Sequence, residues 1–199
     1  MKYLIVGGQA RGVGKTALVV DIIRAFSDVA WTAVKISPHA HAPWTEWAQE
    51  PQASTTGAIL IAESGPEPGG MNDTRRYRAA GAKQALFVRS KDGNLERIQA
   101  ALEKAPAVTE NFILESNSIL GFLQPGLFVM VLDPANTDFK ESARKVLDRA
   151  DAFVVRGPVG TGCWEGIALE TIRFKPVFEQ RIGEPLPEGL LSLIRKRLF

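Results

Sequence analysis

Residues 3–26 read YLIVGGQARGVGKTALVVDIIRAF, in which a short apolar run leads through a glycine-rich loop into a stretch with apolar residues three or four positions apart. The first part is typical of a buried strand, and the last part is typical of an amphipathic helix. A glycine-rich loop between a strand and a helix is the setting that a phosphate-binding loop requires. The stretch therefore predicts that residues 8–16 bind phosphate groups.

The residue types in this loop fit the binding of a nucleoside triphosphate with Mg²⁺. Gly12 and Gly14 allow successive backbone N–H groups to curl around a phosphate, and the start of the following helix adds partial positive charge. Lys15 can reach the β and γ oxygens, and Thr16 can offer its hydroxyl to Mg²⁺. We predict that the nucleotide, GTP or ATP, is bound by Gly12, Val13, Gly14, Lys15, Thr16 and Ala17.

The loop departs from the strict pattern G-x-x-x-x-G-K-[ST] at one position. That pattern places its first glycine where Gln9 stands, and Gly8 comes one residue too early. We expect this change to alter the curvature of the loop or to weaken its affinity for phosphate. A purely structural glycine-rich turn is the alternative interpretation.

The rest of the chain predicts an α/β fold. Apolar runs rich in Val, Ile, Leu and Phe alternate with stretches of helical spacing, which is typical of a mainly parallel sheet covered by helices on both faces. We predict a single domain over residues 1–199, with strands at 3–6, 31–36, 58–62, 85–88, 111–115, 128–132 and 152–155. Helices are predicted at 15–26, 95–104, 140–149 and 188–198.

Residues 37–72 interrupt this alternation. Five prolines and the pair Gly69-Gly70 surround a single strand-like run at 57–63. Such punctuation indicates loops, so we predict an excursion at the edge of the sheet in the form of a hairpin. Long loops in compact domains are often functional, and a decorative insertion is the alternative.

Composition and charge argue against several function classes. The chain has 199 residues and a formal net charge of +2, from 24 Lys and Arg against 22 Asp and Glu, so no strong field favours nucleic acid or an anionic membrane. Cys163 is the single cysteine, so the chain forms neither an internal disulfide nor a cysteine-rich metal cage. No apolar run approaches the roughly 20 residues needed to cross a bilayer. We therefore expect a soluble, cytoplasmic protein.

An acidic residue at the end of another strand is the second feature that triphosphate chemistry with Mg²⁺ requires. Glu115 ends the run NFILE, and Asp133 follows the run FVMVL. We favour Glu115 as the Mg²⁺ ligand together with Thr16, because Pro134 indicates a turn directly after Asp133. The alternative is that either acid caps the segment that follows it.

Four stretches of the chain resemble the MobB family, the accessory GTP-binding proteins of molybdopterin-guanine dinucleotide biosynthesis. They are the phosphate-binding loop, VKISPHAH at 34–41, NDTRRYRAAGAKQALFV at 72–88 and KPVFEQRIGEPLPEGLLSLIRKRL at 175–198. The third resembles the family's Asp-Ser/Thr-x-Arg element, its Ala-Gly-Ala turn and the strand after it. The fourth is similar to the family's closing Pro-Val-Phe strand and last helix.

The resemblance implies a P-loop protein that binds GTP and hydrolyses it weakly. Its implied role is to assist the nucleotidyltransferase that acts on molybdopterin, or an apoenzyme that awaits its cofactor. By position, Lys15 and Thr16 would hold the phosphates and Mg²⁺, Asp73 and Arg75 would lie near the triphosphate, and Glu115 would be the family's strand-end acid. We therefore expect the catalytic residues to be Lys15, Glu115 and Asp73. The family's strand-end acid is usually followed by a glycine whose N–H approaches the γ-phosphate, whereas Ser116 follows Glu115 here. This difference leaves hydrolysis open.

Other functions stay open at this point. The strand at 152–155 leads into Arg156-Gly157-Pro158 without the Asp of a guanine-reading loop, so the choice between GTP and ATP is not decided. The alternatives to an accessory factor are an ATP-dependent small-molecule kinase or ligase, with Glu115 or Asp73 as base, and a nucleotide-gated binding module without hydrolysis. The sequence also leaves the oligomeric state open, a homodimer included.

The remaining polar residues have two interpretations each. His39 and His41 form a solvated pair in a proline-rich loop or, with Trp44 and Trp47, a flap over a flat ring such as a pterin. Cys163 is interpreted as a small buried hydrophobe, with a nucleophile or sulfur ligand as the alternative.

Two local clusters are equally ambiguous. Arg75, Arg76 and Arg78 lie beside Asp73 and either bind phosphates or form a solvated helical face. The glycine-rich loop at 157–164 either contacts the base or a second ligand, or forms a tight turn.

Overall fold

The computed structural model describes residues 2–37, 53–56, 59–63, 73–90, 95–103, 109–158 and 164–199. Within these residues the chain forms one sheet of nine strands. The strands are β1 (Lys2–Gly8), β2 (Trp31–Ser37), β3 (Ala53–Thr56), β4 (Ile59–Glu63), β5 (Gln84–Ser90), β6 (Asn111–Glu115), β7 (Leu127–Leu132), β8 (Ala152–Val155) and β9 (Val177–Glu179).

The strand order across the sheet is β3-β4-β5-β2-β6-β1-β7-β8-β9. The seven strands from β5 to β9 in this order pair in parallel, whereas β3 and β4 form an antiparallel hairpin that covers the edge of β5. The predicted α/β class, the mainly parallel sheet and the edge hairpin within residues 37–72 are confirmed. The rest of that excursion lies outside the described residues.

The helices are α1 (Lys15–Ala25), α2 (Asp73–Ala79), α3 (Ile98–Glu103), α4 (Glu141–Arg144), α5 (Leu169–Arg173) and α6 (Glu188–Leu198). The predicted helix at 140–149 is wrong in its second half, where a 3-10 turn, Leu147–Arg149, replaces the α-helix. Arg149 there donates a hydrogen bond of 2.5 Å to the carbonyl of Leu120, a tertiary contact that local periodicity does not encode. Among the described residues, no helix combines the length and the apolar character needed to span a bilayer.

The core lies in two layers on opposite faces of the sheet, because successive side chains of a strand point to opposite sides. Tyr3 and Ile5 of β1 pack in one layer with α3, α4 and α5. Leu4 and Val6 pack in the other layer with α1, α2 and α6. Helices therefore cover both faces, as the near-continuous apolar strands predict.

This topology brings three strand ends together. The strands β2, β6 and β1 are neighbours and parallel, so their carboxyl ends meet at one edge of the sheet. The register pairs Glu115 with Val6 on one side and with Lys35 on the other. Any ligand held by the loop after β1 therefore lies beside the residues that end β2 and β6.

Candidate functional site

The loop between β1 and α1 has the backbone geometry of an anion-binding loop. Gly12 and Gly14 have φ angles of 83° and 89°, a left-handed conformation that residues with a side chain adopt only with strain. Gly14 caps α1 without any side-chain hydrogen bond to the first turn. The first N–H groups of α1 are therefore available to donate hydrogen bonds to an anion.

Lys15, the first residue of α1, folds back over this loop. Its Nζ donates a hydrogen bond of 2.6 Å to the carbonyl of Ala10. Burial lowers the pKa of Lys15, and the nearby carboxylate of Glu115 opposes that shift. The ammonium therefore lies in a poorly solvated position, where its electrostatic attraction for an anionic ligand is strongest.

Gln9 occupies the position where the strict pattern has a glycine, and its side chain is fully buried. Its amide nitrogen lies within hydrogen-bond distance of the carbonyls of Asp133 (3.2 Å), Asn136 (2.7 Å) and Asp138 (3.2 Å). Its amide oxygen accepts a hydrogen bond of 2.7 Å from the N–H of Asp133. The side chain thus fastens the loop to residues 133–138 and does not line the cavity described below.

The substitution Gln9→Gly restores the first glycine of the strict phosphate-loop pattern. We expect it to lower the free energy of unfolding by about 2–4 kcal/mol, because a buried polar group that loses its partner costs about 1–3 kcal/mol and an added glycine costs roughly 0.5–1 kcal/mol. Urea unfolding measures this change in stability. The control is Gln124→Gly, the same substitution at an exposed position. Equal stability of Gln9→Gly and wild type would contradict the structural role of Gln9.

Glu115, at the end of β6, is only 2% exposed and is the centre of the polar network at this edge. Its Oε2 accepts a hydrogen bond of 2.7 Å from the hydroxyl of Thr16 and another from the hydroxyl of Tyr77. Its Oε1 is paired with the ammonium of Lys35, whose Nζ also lies 3.0 Å from Oδ2 of Asp73. The carboxylate is thus buried but fully partnered.

Tyr77 reaches Glu115 from α2, where its side chain is completely buried. Burial raises the pKa of Tyr77 well above its ordinary value, and the negative charge of Glu115 adds to the shift. The phenol therefore stays protonated and donates its hydrogen to the carboxylate. Tyr77 was not among the predicted site residues, because its position depends on how α2 packs.

Asp133, the alternative strand-end acid, has a different environment. Its Oδ1 accepts a hydrogen bond of 3.0 Å from the N–H of Ala135, two residues later. It does not line the cavity that holds Glu115. Asp133 therefore stabilises the turn that Pro134 indicates, which matches the capping interpretation.

The segment after Glu115 is tied back to β1. The N–H of Ser116 donates to the carbonyl of Val6 at 3.1 Å. The side chain of Asn117 exchanges two hydrogen bonds of 2.9 Å with the backbone of Gly8. The N–H of Ser116 is thus already hydrogen-bonded to the backbone of β1.

A cavity of about 460 Å³ opens between the loop and the ends of β2 and β6. It brings together seven of the predicted site residues: Gly12, Gly14, Lys15, Thr16, Ala17, Asp73 and Glu115. Arg11, Lys35, Arg76 and Ile182 complete its wall. The wall thus carries four basic and two acidic side chains, a balance that favours a polyanionic ligand.

Two predicted site residues do not line this cavity. The side chain of Val13 is buried in the core beside α1, so only its backbone is placed to serve a ligand. Arg76, rather than its neighbour Arg75, lies on the cavity wall and 3.9 Å from Asp73. His39, His41, Trp44, Trp47 and Cys163 lie outside the described residues.

Thr16 and Glu115 fit the predicted Mg²⁺ site by their chemistry. Both offer hard oxygen ligands, which Mg²⁺ prefers, and their oxygens lie 2.7 Å apart at the cavity. Among the described residues, no group of three or more His, Cys, Asp and Glu side chains forms a closed metal site. Mg²⁺ commonly binds through one or two protein ligands together with phosphate oxygens and water, so this pair is adequate.

Arg156 contacts the loop from the side of β8. It belongs to the segment Arg156-Gly157-Pro158, which lacks the Asp of a guanine-reading loop. Its guanidinium donates a hydrogen bond of 2.8 Å to the carbonyl of Gly14 and is also bonded to the buried side chain of Gln180. Gln180 in turn donates to Asp21 of α1 at 3.1 Å. Burial lowers the pKa of Arg156. These contacts connect the end of β8 and the residue after β9 to the start of α1.

Lys35 could have been found from the sequence. It is a single charged residue within WTAVKIS, and a charged residue in an otherwise buried strand indicates a partner or a ligand. The resemblance of the stretch VKISPHAH to the MobB family indicates the same strand but assigns no role to the lysine.

No protein-family model matches this chain, and no curated protein matches it. Among solved structures, it is similar to the "apo" form of LpxK from Aquifex aeolicus in complex with ATP, with a TM-score of 0.51 and 18% identity over 96% of this chain. It is also similar to HypB from Helicobacter pylori in complex with nickel, with a TM-score of 0.52 and 13% identity over 98% of this chain. The match covers 60% of the LpxK chain and 87% of the HypB chain.

These similarities establish the fold of the chain. It has the α/β fold of the P-loop NTPases, in agreement with the loop geometry and the parallel sheet. The comparisons do not test the resemblance to the MobB family, which stays a hypothesis.

Proposed function

We propose that this protein binds a nucleoside triphosphate with Mg²⁺ in the cavity beside the glycine-rich loop. One observation carries the proposal: a buried carboxylate, Glu115, is hydrogen-bonded to Thr16 directly beside the open N-terminus of α1. The N–H groups of α1 and the ammonium of Lys15 would bind the phosphates. Thr16 and Glu115 would hold Mg²⁺, which neutralises charge on the phosphates when bound.

The finer proposal is a GTP-binding accessory factor in molybdenum cofactor biosynthesis, with molybdopterin or its nucleotidyltransferase as partner. It rests on the sequence stretches that resemble the MobB family. Weak hydrolysis fits this role, because the N–H of Ser116 is bonded to Val6 and the site lacks that donor for a γ-phosphate. Binding without turnover, as in a nucleotide-gated module, is the limiting case of the same arrangement.

A small-molecule kinase or ligase is the second candidate. Asp73 favours it, because this carboxylate is about one-third exposed and lies on the wall of the same cavity. A carboxylate in that position could accept a proton from a substrate that attacks the terminal phosphate.

The nucleotide proposal is tested by titration with ATP, GTP, ADP and GDP, each with Mg²⁺ and with EDTA, while the unfolding midpoint is followed. A ligand at 100 times its Kd stabilises the folded state by about 2.7 kcal/mol, which corresponds to roughly 5–10 °C for a chain of this size. A response to GTP alone supports the accessory factor, and a response to ATP alone supports the kinase or ligase. If no nucleotide shifts the midpoint, the proposal is wrong.

A further inference from the structure

Lys35 lies on the cavity wall, near the carboxyl end of β2, and the proposed function gives it no role. Five residues of β2 are buried, whereas the Lys35 side chain is 21% exposed and faces the cavity. The parallel register with β6 places its side chain on the same face of the sheet as that of Glu115. Lys35 is thus fixed in position by the sheet and not by a loop.

Among the described residues, one N–H donor of the Lys35 ammonium has no protein partner. The ammonium has three N–H donors, and within the described part of the chain its contacts are the carboxylates of Glu115 and Asp73. These two acids hold the nitrogen at the cavity wall. The third donor is left for a ligand that enters the cavity.

The position of Lys35 relative to the loop indicates which part of the ligand it would meet. A triphosphate bound as proposed would run past the N-terminus of α1, and Lys15, Thr16 and Glu115 would lie around its terminal, metal-binding phosphates. Lys35 contacts Glu115 directly, and its positive charge is close enough to contribute, after burial, to the lowered pKa of Lys15. Ile182, in contrast, lies against Gly14 in a different part of the cavity wall.

We propose that Lys35 is a second phosphate-binding lysine, which contacts the terminal phosphate of a nucleoside triphosphate and so distinguishes triphosphate from diphosphate. This inference rests on the proposed nucleotide function. Asp73 and Glu115 position the ammonium of Lys35 for this contact, in addition to the proposed role of Glu115 as a Mg²⁺ ligand. A diphosphate leaves the third donor of Lys35 unused, so it gains nothing from this residue.

The test is Lys35→Met, which removes the ammonium and keeps an unbranched side chain that is one heavy atom shorter. We expect its Kd for the triphosphate to rise about 10- to 100-fold, as for one lost hydrogen bond to a charged group. The Kd for the diphosphate is expected to rise by less than about 3-fold, because the loop and Lys15 still bind it. Calorimetric titration of both nucleotides, each with Mg²⁺, measures the ratio directly and does not depend on turnover.

Three further variants separate a specific role of Lys35 from a loss of structure. Lys83→Met alters an exposed lysine just before β5 and is expected to leave both Kd values unchanged. If Lys35→Met does not fold, Lys35→Gln replaces it, because the amide still donates a hydrogen bond to Glu115 while the charge is lost. Lys35→Arg is expected to recover part of the preference for triphosphate.

The outcomes distinguish this inference from the nucleotide proposal itself. If wild type binds neither nucleotide, the proposed function fails and the inference fails with it. If wild type binds both and Lys35→Met loses them equally, or loses neither, the nucleotide function stands and the role of Lys35 is wrong. Only a selective loss of triphosphate supports the inference.

Discussion

Lys15→Ala is expected to bind the Mg²⁺-triphosphate at least about 100-fold more weakly than wild type. The reason is the position of the ammonium, which is folded over the loop and bonded to the carbonyl of Ala10 at 2.6 Å. Hydrogen bonds to charged groups contribute about 1.5–3 kcal/mol each, and contacts with two phosphate groups are lost together. Calorimetric titration with GTP and ATP measures the change in Kd.

The fold of Lys15→Ala is expected to survive, with a free energy of unfolding within about 1 kcal/mol of wild type. Removal of Lys15 leaves the carbonyl of Ala10 without this donor, but it also removes a cation whose burial is unfavourable. The matched control is Lys145→Ala, because Lys145 is an exposed lysine that forms a surface ion pair with Glu141. Retained nucleotide binding by a folded Lys15→Ala would contradict the nucleotide site.

The same residue leads to an expected pH dependence. Burial lowers the pKa of Lys15 in the folded state, so the unfolded chain binds this proton more tightly. The loss of folding stability that this shift causes is complete below the lowered pKa of Lys15. It disappears as the pH rises from the lowered pKa to the ordinary pKa of lysine. Relative to Lys15→Ala, wild type should therefore gain stability in this alkaline interval, which urea unfolding at a series of pH values would detect.

The central part of the fold could be predicted because it is encoded locally. The stretch from Tyr3 to Phe26 carries a strand, a glycine loop and a helix in one run. Glu115 is similarly visible, as an acid that ends a buried apolar strand. Each of these features depends on residues that are neighbours in the chain.

The rest of the site depends on contacts between distant segments. Lys35 and Glu115 become partners only through the parallel register of β2 and β6. Tyr77 joins them because α2 packs against the sheet, and a seven-residue helix has too few turns for its apolar face to be recognised from spacing. Gln9 was interpreted as a defect of the loop, since no local pattern indicates that its amide binds residues 133–138.

Glu115→Gln is expected to remove the effect of Mg²⁺ on nucleotide binding and to slow any hydrolysis about 100-fold or more, as for the loss of one preorganised electrostatic group. Glutamine keeps the shape of the side chain and an oxygen that accepts from Thr16 and Tyr77. It lacks the negative charge that a hard cation such as Mg²⁺ requires. Asp73 still neutralises Lys35 in the variant, so the fold is expected to persist.

The measurement is the ratio of triphosphate affinities with Mg²⁺ and with EDTA, together with the rate of phosphate release. Asp133→Asn is the matched control, because Asp133 is the other strand-end acid and bonds its own turn through Ala135. It is expected to keep the Mg²⁺ effect of wild type and to lose some stability. A Mg²⁺ effect that survives in Glu115→Gln but disappears in Asp133→Asn would reverse the assignment of the metal ligand, because the cation would then bind at the end of β7 and not at the end of β6.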